Sequence, residues 1–132
     1  MSGSQPLRLG VIGLGMAGAV MVVAASRHER IKLVAAADPV ERLRANFERD
    51  FGGATHADAR ELCERDDIDA VYIATPHQLH REHAILAARC GKHVVVEKPL
   101  ALTMEDCNAI VDEVDRAGTH LIVGHTHGFD PN

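Results

Sequence analysis

The sequence predicts an α/β fold, in which a single domain forms a doubly wound, mainly parallel sheet. Three features support this prediction: apolar strand-like segments alternate with helical ones, a glycine-spaced turn joins the first strand to the first helix, and an acidic residue follows the second strand. The chain has 132 residues, of which 46% are hydrophobic, so it is long enough to bury a core. Aromatic residues make up only 3%, and the core must therefore consist mainly of Val, Ala, Leu and Ile.

The first predicted strand, Leu7 to Ile12, runs directly into the glycine-spaced turn GLGMAG. Gly13 allows a tight turn, Gly15 lets the backbone approach a phosphate, and Gly18 lets the following helix pack closely on the strand. The turn therefore predicts a binding site for the pyrophosphate of a dinucleotide. The alternative is a strand-to-helix turn that binds no ligand.

The first predicted helix, Met16 to Ser26, would aim its unpaired N–H groups and the positive end of its dipole at that pyrophosphate. Because these donors belong to the backbone, the turn needs no polar side chain. The residues expected to bind the phosphates are Gly13, Gly15, Met16, Ala17 and Gly18.

Asp38 ends the second predicted strand, Ile31 to Ala37, and lies about 20 residues past the glycine turn, as a ribose-binding acid should. A carboxylate there accepts hydrogen bonds from both ribose hydroxyls but repels a 2′-phosphate, which favours NAD over NADP. Arg42 and Arg44 follow within two helical turns and keep NADP open as the lesser alternative. Asp38 also fits the N-cap of a helix predicted from Val40 to Phe51, and one carboxylate can serve both purposes.

Helix and strand continue to alternate beyond the second helix. The third strand is the weakest prediction, because only a short segment is available for it between two helices. The further predicted elements are a strand from Gly53 to His56, a helix from Asp58 to Glu64, a strand from Ala70 to Ala74, a helix from Leu79 to Arg89, a strand from His93 to Glu97, a helix capped by Thr103 with Asp106 and ending before Gly118, and a strand from His120 to Val123.

Composition and charge exclude several classes of partner. The net charge is -5 and the basic residues are scattered, which argues against nucleic acid or an anionic membrane. The apolar run from Leu14 to Ala25 is too short to span a bilayer, and Met1 to Pro6 lacks the basic segment of a secretory signal. The predicted location is therefore cytoplasmic. Cys63, Cys90 and Cys107 are odd in number and have no CxxC spacing, so we expect reduced, mostly core-packed thiols inside helices and no catalytic cysteine.

A ligand of a doubly wound sheet lies beyond the carboxyl ends of the strands, where the strand order reverses between the first and fourth strands. Three loops should converge there, comprising residues 13–18, 75–80 and 97–99.

Two segments in these loops resemble a known family. ATPHQLH at residues 74–80 and GKHVVVEKPLALT at residues 91–103, together with GLGMAG and Asp38, are similar to the Gfo/Idh/MocA oxidoreductases over nearly the whole chain. The resemblance implies a Rossmann domain that uses NAD(P) to oxidise or reduce a carbinol carbon, commonly on sugars or cyclitols. It also implies a second, C-terminal domain, mostly an antiparallel sheet, which forms much of the substrate pocket and usually the oligomer contact.

This resemblance sets the expected domain organisation. We expect residues 1–6 to be a disordered or tag-like lead, residues 7–124 to form the dinucleotide-binding domain, and residues 125–132 to begin the connection to a second domain. The full-length protein is expected to form a homo-oligomer through that second domain.

The resemblance assigns Lys98 a catalytic role, in which its ammonium group hydrogen-bonds the reacting oxygen. Desolvation beside a positively charged nicotinamide would lower the lysine pKa towards a useful value. Glu97 resembles the glutamate that helps to hold cofactor and lysine, and Pro99 fixes the turn. The alternative for Lys98 is a solvated surface charge.

Thr75 and Pro76 resemble the family loop that runs beside the nicotinamide half of the cofactor. His77 departs from the asparagine common at this position, but its imidazole can still donate or accept a hydrogen bond, so it is a candidate cofactor-binding residue like Thr75 and Pro76. His80 matches the histidine of the family and is a candidate catalytic residue. The alternative for His80, a side chain at a helix start that bonds nearby backbone, stays equally open.

The segment GHTHGFDPN at the end of the chain carries two further candidates, His125 and His127, as substrate-contacting residues. The GHTH sequence followed by FDP most resembles the subgroup that oxidises dihydroxylated cyclohexadienes of phthalate type, where aromatisation would drive hydride transfer to NAD. Two histidines without a third ligand predict no metal site. The alternative is a polar exit from the last strand towards another domain.

Two functional hypotheses follow from the sequence. In the first, the chain is the NAD-binding part of an oxidoreductase that acts on a small polyhydroxylated molecule, namely a sugar, a cyclitol or a cis-dihydrodiol. In the second, it is a non-catalytic module that senses NAD(H) and acts through a protein partner.

Overall fold

The computed structural model of the protein describes residues 5–97 and 100–124. The described strands form one six-stranded sheet in the order β3-β2-β1-β4-β5-β6, and every neighbouring pair is parallel. The elements are β1 (Leu7–Ile12), α1 (Met16–Ser26), β2 (Ile31–Ala37), α2 (Glu41–Phe51), β3 (Ala54–His56), α3 (Ala59–Cys63), β4 (Ala70–Ile73), a 3-10 turn (His77–Leu79), α4 (His80–Arg89), β5 (His93–Glu97), α5 (Met104–Ala117) and β6 (Leu121–Gly124).

The helices cover both faces of the sheet, which is the doubly wound arrangement that the sequence predicts. Successive residues of a strand point to opposite faces, and they accordingly enter two separate apolar clusters. Val11 and Tyr72 pack in the cluster that contains α1 and α2, whereas Ile12 and Ile73 pack in the cluster that contains α3, α4 and α5.

The structure confirms the predicted bounds of β1, α1, β2 and β5 and places most other elements within two residues of their predictions. The short third strand is present and pairs with β2. The predicted caps are also present, since Asp58 accepts a hydrogen bond from the Arg60 N–H, and the Thr103 hydroxyl accepts one from the Asp106 N–H at 3.0 Å.

One cap prediction is wrong. Helix α2 begins at Glu41, and Val40 occupies the N-cap position without a side-chain cap. Asp38 lies two residues before that position, and its carboxylate instead accepts a hydrogen bond from the Val40 N–H at 2.8 Å. Pro39 and Val40 therefore form a turn that the carboxylate stabilises ahead of the helix.

All three cysteines are free. Cys63 is fully buried, and burial raises the pKa of its thiol to about 12. Cys90 follows α4 rather than lying inside it, and both Cys90 and Cys107 are only half-buried. None of the helices in the described part of the chain is long and apolar enough to cross a membrane.

Candidate dinucleotide-binding site

A cleft of about 1190 Å³ lies at the carboxyl ends of the strands, between the loops that follow β1, β2, β3 and β4. This is the place that the reversal of strand order predicts, because β2 lies on one side of β1 and β4 lies on the other. Six of the predicted site residues line the cleft: Gly13, Gly15, Asp38, Thr75, Pro76 and His77.

Each glycine of the first turn meets a different constraint. Gly13 has a φ of 99°, and a Cβ there would lie 2.9 Å from the Ala74 carbonyl group. A Cβ at Gly18 would lie 1.9 Å from the Gly13 carbonyl oxygen, which no side chain can occupy. These two glycines therefore serve the fold, as their predicted roles require.

Gly15 has a different relation to its surroundings. A Cβ built on it would meet no atom within 4 Å, so the fold itself leaves this space open. Gly15 also lines the cleft and is the N-cap of α1. The space that a side chain would fill is thus free for a phosphate group to approach the backbone.

The amino end of α1 offers backbone donors and little else. Gly15 provides no side-chain cap, and the first turn carries no acidic residue that would compete for the N–H groups. Met16 is 87% exposed and Ala17 is exposed as well, so both would contribute only their backbone N–H groups. This geometry suits an anion held by the helix terminus.

Asp38 is held tightly at the end of β2. Its side chain is buried, with 8% of the residue exposed, and its Oδ2 accepts a hydrogen bond from the Leu14 N–H at 2.8 Å. Its Oδ1 accepts from the Val40 N–H at the same distance. A carboxylate has about four acceptor positions, so both oxygens retain capacity for the two hydroxyls of a ribose.

The two arginines that follow Asp38 are not arranged to hold a 2′-phosphate. The guanidinium group of Arg44 donates to the backbone carbonyl of Asp38 at 2.8 Å. Arg42 is exposed and is absent from the residues that line the cleft. Neither arginine of α2 is therefore positioned to bind the 2′-phosphate that the NADP alternative requires.

Acidic side chains outnumber basic ones along the described wall of the cleft. Asp58 and Glu82 join Asp38 there, and Arg60 is the lining residue with a permanent positive charge among those described. Arg60 is 65% exposed in its side chain and approaches Glu64 at 4.0 Å. Asp58, Arg60 and Glu82 were not among the predicted site residues, because only the order of the strands brings the start of α3 and α4 to the cleft.

A buried histidine, His80, contacts the backbone of the loop after β4. The Nε2 atom of His80 lies 2.9 Å from the Thr75 carbonyl oxygen, and His80 is only 1% exposed. His80 packs edge-on against His77 and does not line the cleft. The geometry matches the backbone-bonding alternative for His80, and its catalytic role stays a prediction.

A second histidine of α4 belongs to the site and was missed by the sequence analysis. His83 lines the cleft, and its Nδ1 atom lies 3.0 Å from the Thr75 hydroxyl. Burial lowers the pKa of His83, an effect that the nearby carboxylate of Glu82 partly opposes. The spacing of three residues between His80 and His83 is the signal that could have found it, since residues three apart share a helix face.

Glu97 ends β5 and accepts a hydrogen bond from the hydroxyl group of Tyr72 on the neighbouring strand. Tyr72 is buried, and its burial together with the Glu97 carboxylate raises the pKa of the phenol. Glu97 does not line the described cleft. The predictions for Lys98 and Pro99 lie outside the described residues, as do those for His125 and His127. Within residues 5–97 and 100–124, no group of three or more His, Cys, Asp or Glu side chains could hold a metal ion.

The parallel order of the sheet, the glycine turn at the amino end of α1 and the buried acid at the end of β2 together define a dinucleotide-binding domain of Rossmann type. Residues 7–125 match the family model GFO_IDH_MocA, described as the oxidoreductase family with an NAD-binding Rossmann fold. The chain belongs to this family.

Individual relatives agree with this assignment. The chain is 46% identical over 125 residues to 1-carboxy-3-chloro-3,4-dihydroxycyclohexa-1,5-diene dehydrogenase of Comamonas testosteroni, covering 94% of this chain and 32% of the relative. The structure of scyllo-inositol dehydrogenase from Lactobacillus casei with bound NAD(H) and scyllo-inositol superposes with a TM-score of 0.89 at 25% identity, covering 96% of this chain and 38% of that one. Biliverdin reductase from Synechocystis sp. PCC 6803, in complex with biliverdin and NADP+, gives 0.86 at 34% identity, covering 92% and 38%. The chain thus spans about a third of the length of these relatives.

Proposed function

We propose that this chain is the NAD-binding domain of a dehydrogenase that transfers a hydride between NAD and a carbinol carbon of a small polyhydroxylated substrate. The observation that carries the proposal is the open space at Gly15, which lies in the same cleft as the buried carboxylate of Asp38. One feature admits a pyrophosphate to the backbone, and the other offers acceptors to a ribose. The NAD-binding character of the family supports the same conclusion.

The charges of the cleft favour NAD over NADP. A 2′-phosphate would approach Asp38 and share the cleft with Asp58 and Glu82, whereas Arg60 is the sole compensating permanent charge on the described wall. Negative charges that share one cleft repel each other, and the repulsion is strongest where the site is partly buried. The structure of biliverdin reductase, which shares this fold, contains NADP+, so the fold alone does not set the preference and the residues of this chain must supply it.

The proposed acid–base residue, Lys98, follows β5, and the residues proposed to line the nicotinamide follow the neighbouring strand β4. Bound NAD supplies the hydride acceptor. Lys98 directly follows β5 and, as a neutral amine, would accept the proton of the reacting carbinol oxygen while the hydride leaves; as an ammonium it would return that proton in the reverse reaction. Glu97, oriented by Tyr72, would help to hold cofactor and lysine, and Thr75 with Pro76 would line the nicotinamide half.

The preferred substrate class is a cis-dihydrodiol of the cyclohexadiene type. The support is the 46% identity to a dehydrogenase of a carboxylated dihydroxycyclohexadiene. It also comes from the residues GHTHGFDP, in which His125 and His127 would contact the substrate. Oxidation of such a diol yields a product that aromatises, which would drive hydride transfer to NAD. Cyclitols and sugars are the remaining candidates.

The test begins with calorimetric titration of the purified protein with NAD, NADH and NADP. We expect saturable binding of NAD and NADH and much weaker binding of NADP. Because this chain alone is expected to be inactive, formation of NADH by the full-length enzyme in the presence of a carboxylated cis-dihydrodiol, myo-inositol or glucose would then rank the substrate classes. If the protein bound neither NAD nor NADP, the proposal would be contradicted.

Several wider expectations depend on this function. A homo-oligomer formed through a second domain and a cytoplasmic location are both proposed, and sedimentation of the full-length protein tests the first. The scattered basic residues and net charge of -5 support a small-molecule substrate rather than nucleic acid or a membrane surface. The alternative of a non-catalytic NAD(H) sensor is not supported, because the named relatives above are enzymes.

A further inference from the structure

Two histidines of α4 form hydrogen bonds with the same residue, Thr75, in the loop after β4. His80 bonds the backbone carbonyl oxygen of Thr75, and His83 bonds its hydroxyl group. A carbonyl oxygen only accepts, so His80 must carry its proton on Nε2. Thr75 is thus fixed at two atoms, one in the backbone and one in the side chain.

His83 has a second ring nitrogen that this contact leaves available. Its Nδ1 faces the Thr75 hydroxyl, and the described residues provide no hydrogen-bond partner for its Nε2. Among the described residues, the hydroxyl group of Thr119 is the buried side-chain group that has no hydrogen-bond partner. The Nε2 atom of His83 also has no partner there, so it must be accessible from outside the core. Because His83 is half-buried and lines the cleft, the accessible edge of its ring borders the cleft.

The protonation of His83 suits a donor at this edge. When the Thr75 hydroxyl donates to Nδ1, a neutral imidazole carries its proton on Nε2. Burial and the adjacent His80 favour the neutral ring, while the carboxylates of Glu82 and Asp58 oppose them. The acceptors that a dinucleotide brings into this cleft include phosphate, ribose and adenine atoms.

We propose that His83 is a cofactor-binding residue whose Nδ1 edge is held by Thr75 and whose Nε2 edge donates a hydrogen bond to the ADP-ribose part of NAD. Its position supports the choice of that part. A Cβ on Gly13 would lie 3.2 Å from the Thr75 methyl group, so Thr75 adjoins the turn expected to hold the pyrophosphate, between the two halves of the cofactor. His83 shares the cleft with Asp38, the expected ribose acceptor, and with Asp58 and Arg60. The inference rests on the proposed binding of NAD and names a further residue of that site.

The test compares His83→Gln with His83→Asn, because the two amides replace different edges of the ring. A glutamine amide reaches the position of Nε2 and can restore the donor, whereas an asparagine amide lies near Nδ1 and can restore only the contact to Thr75. We expect H83N to weaken NAD binding about threefold to tenfold, and H83Q to keep most of the affinity. Titration with ADP-ribose should reproduce this pattern, and titration with nicotinamide mononucleotide should give no difference between the variants.

His28→Gln is the matched control, since His28 is exposed in the turn after α1 and does not line the cleft. Near-wild-type affinity in H83N combined with loss in H83Q would overturn the proposal, because it would assign His83 only the support of Thr75. Equal affinity in all variants would overturn it as well. Failure of the unsubstituted protein to bind NAD would instead overturn the proposed function, and circular dichroism of each variant separates these results from misfolding.

Discussion

The carboxylate of Asp38 accepts a hydrogen bond from the backbone N–H of Leu14 at 2.8 Å, which ties the end of β2 to the glycine turn after β1. The residue that would recognise the ribose therefore also positions the loop that would hold the phosphates. Both atoms are buried, so this bond cannot be replaced by water without rearrangement. Substitutions of Asp38 consequently affect ribose recognition and phosphate binding together.

We predict that Asp38→Ala weakens NAD binding at least tenfold and lowers the free energy of unfolding by about 1–3 kcal/mol, because it leaves the N–H groups of Leu14 and Val40 without their acceptor. The affinity for NADP should fall less, because the repulsion of the 2′-phosphate is removed. The ratio of the NAD and NADP dissociation constants is the diagnostic quantity, since disturbance of the loop is common to both. An unchanged ratio would exclude Asp38 as the determinant of preference.

Gly18 and Gly15 provide a matched pair for separating folding from binding. Gly18→Ala forces a Cβ to within 1.9 Å of the Gly13 carbonyl oxygen, and we expect it to lower the free energy of unfolding by about 3 kcal/mol. Gly15→Ala meets no atom within 4 Å, so its effect on folding should stay within about 1 kcal/mol. Its effect on NAD binding should exceed tenfold, because the methyl group fills the space proposed for a phosphate. Urea denaturation and NAD titration of both variants check this, and the reverse assignment would be incompatible with the proposed site.

Lys98→Ala in the full-length enzyme should reduce kcat by a factor of about 100 or more while leaving the dissociation constant of NAD nearly unchanged. The reason is that Lys98 is proposed to act on the substrate oxygen rather than on the cofactor. Lys32→Ala, at an exposed position on β2, is the control and should behave like the wild type. Full activity in the Lys98 variant would remove this residue from the mechanism.

His83 should make the protein less stable in mild acid. Its pKa in the folded state lies below the value of about 6.5 for an unfolded chain, so the unfolded state binds more protons between these two values. The contribution of His83 to the free energy of unfolding should therefore fall as the pH drops below about 6.5 and should level off once the pH is below the folded pKa of His83. H83Q should show a smaller loss over this range in denaturation measured at a series of pH values. Identical pH dependence in the two proteins would mean that His83 does not titrate as described.

Cys63 should resist thiol reagents in the native protein. Its side chain is fully buried and its pKa is raised to about 12, so the reactive thiolate is scarce and inaccessible at neutral pH. Cys90 and Cys107 are half-buried and should react first. Labelling with iodoacetamide followed by peptide mass analysis tests the order, with the denatured protein as the control in which all three react. Rapid native labelling of Cys63 would contradict the observed packing of α3.

The sequence by itself determined the fold class, because the order of apolar segments and the glycine spacing admit few arrangements of a parallel sheet. It also placed Gly13, Gly15 and Asp38 in the site, since their roles depend on backbone conformation and on positions at strand ends. The N-cap role predicted for Asp38 was wrong because the spacing of residues cannot decide which of several nearby N–H groups a carboxylate will accept from. The pairing with Leu14 lies 24 residues back along the chain.

Only the tertiary structure decided which polar side chains meet in the cleft. Asp58, the N-cap of α3, Arg60 of α3 and His83 of α4 share a cleft with Asp38 because the order of the strands brings their loops and helices to the same edge of the sheet. Burial likewise separated His80, which lies beneath the loop, from His83, which faces the cofactor cleft three residues later. Local patterns in the sequence fix backbone geometry, whereas contacts between side chains distant in sequence follow from packing, and the composition of the site therefore follows from the complete fold.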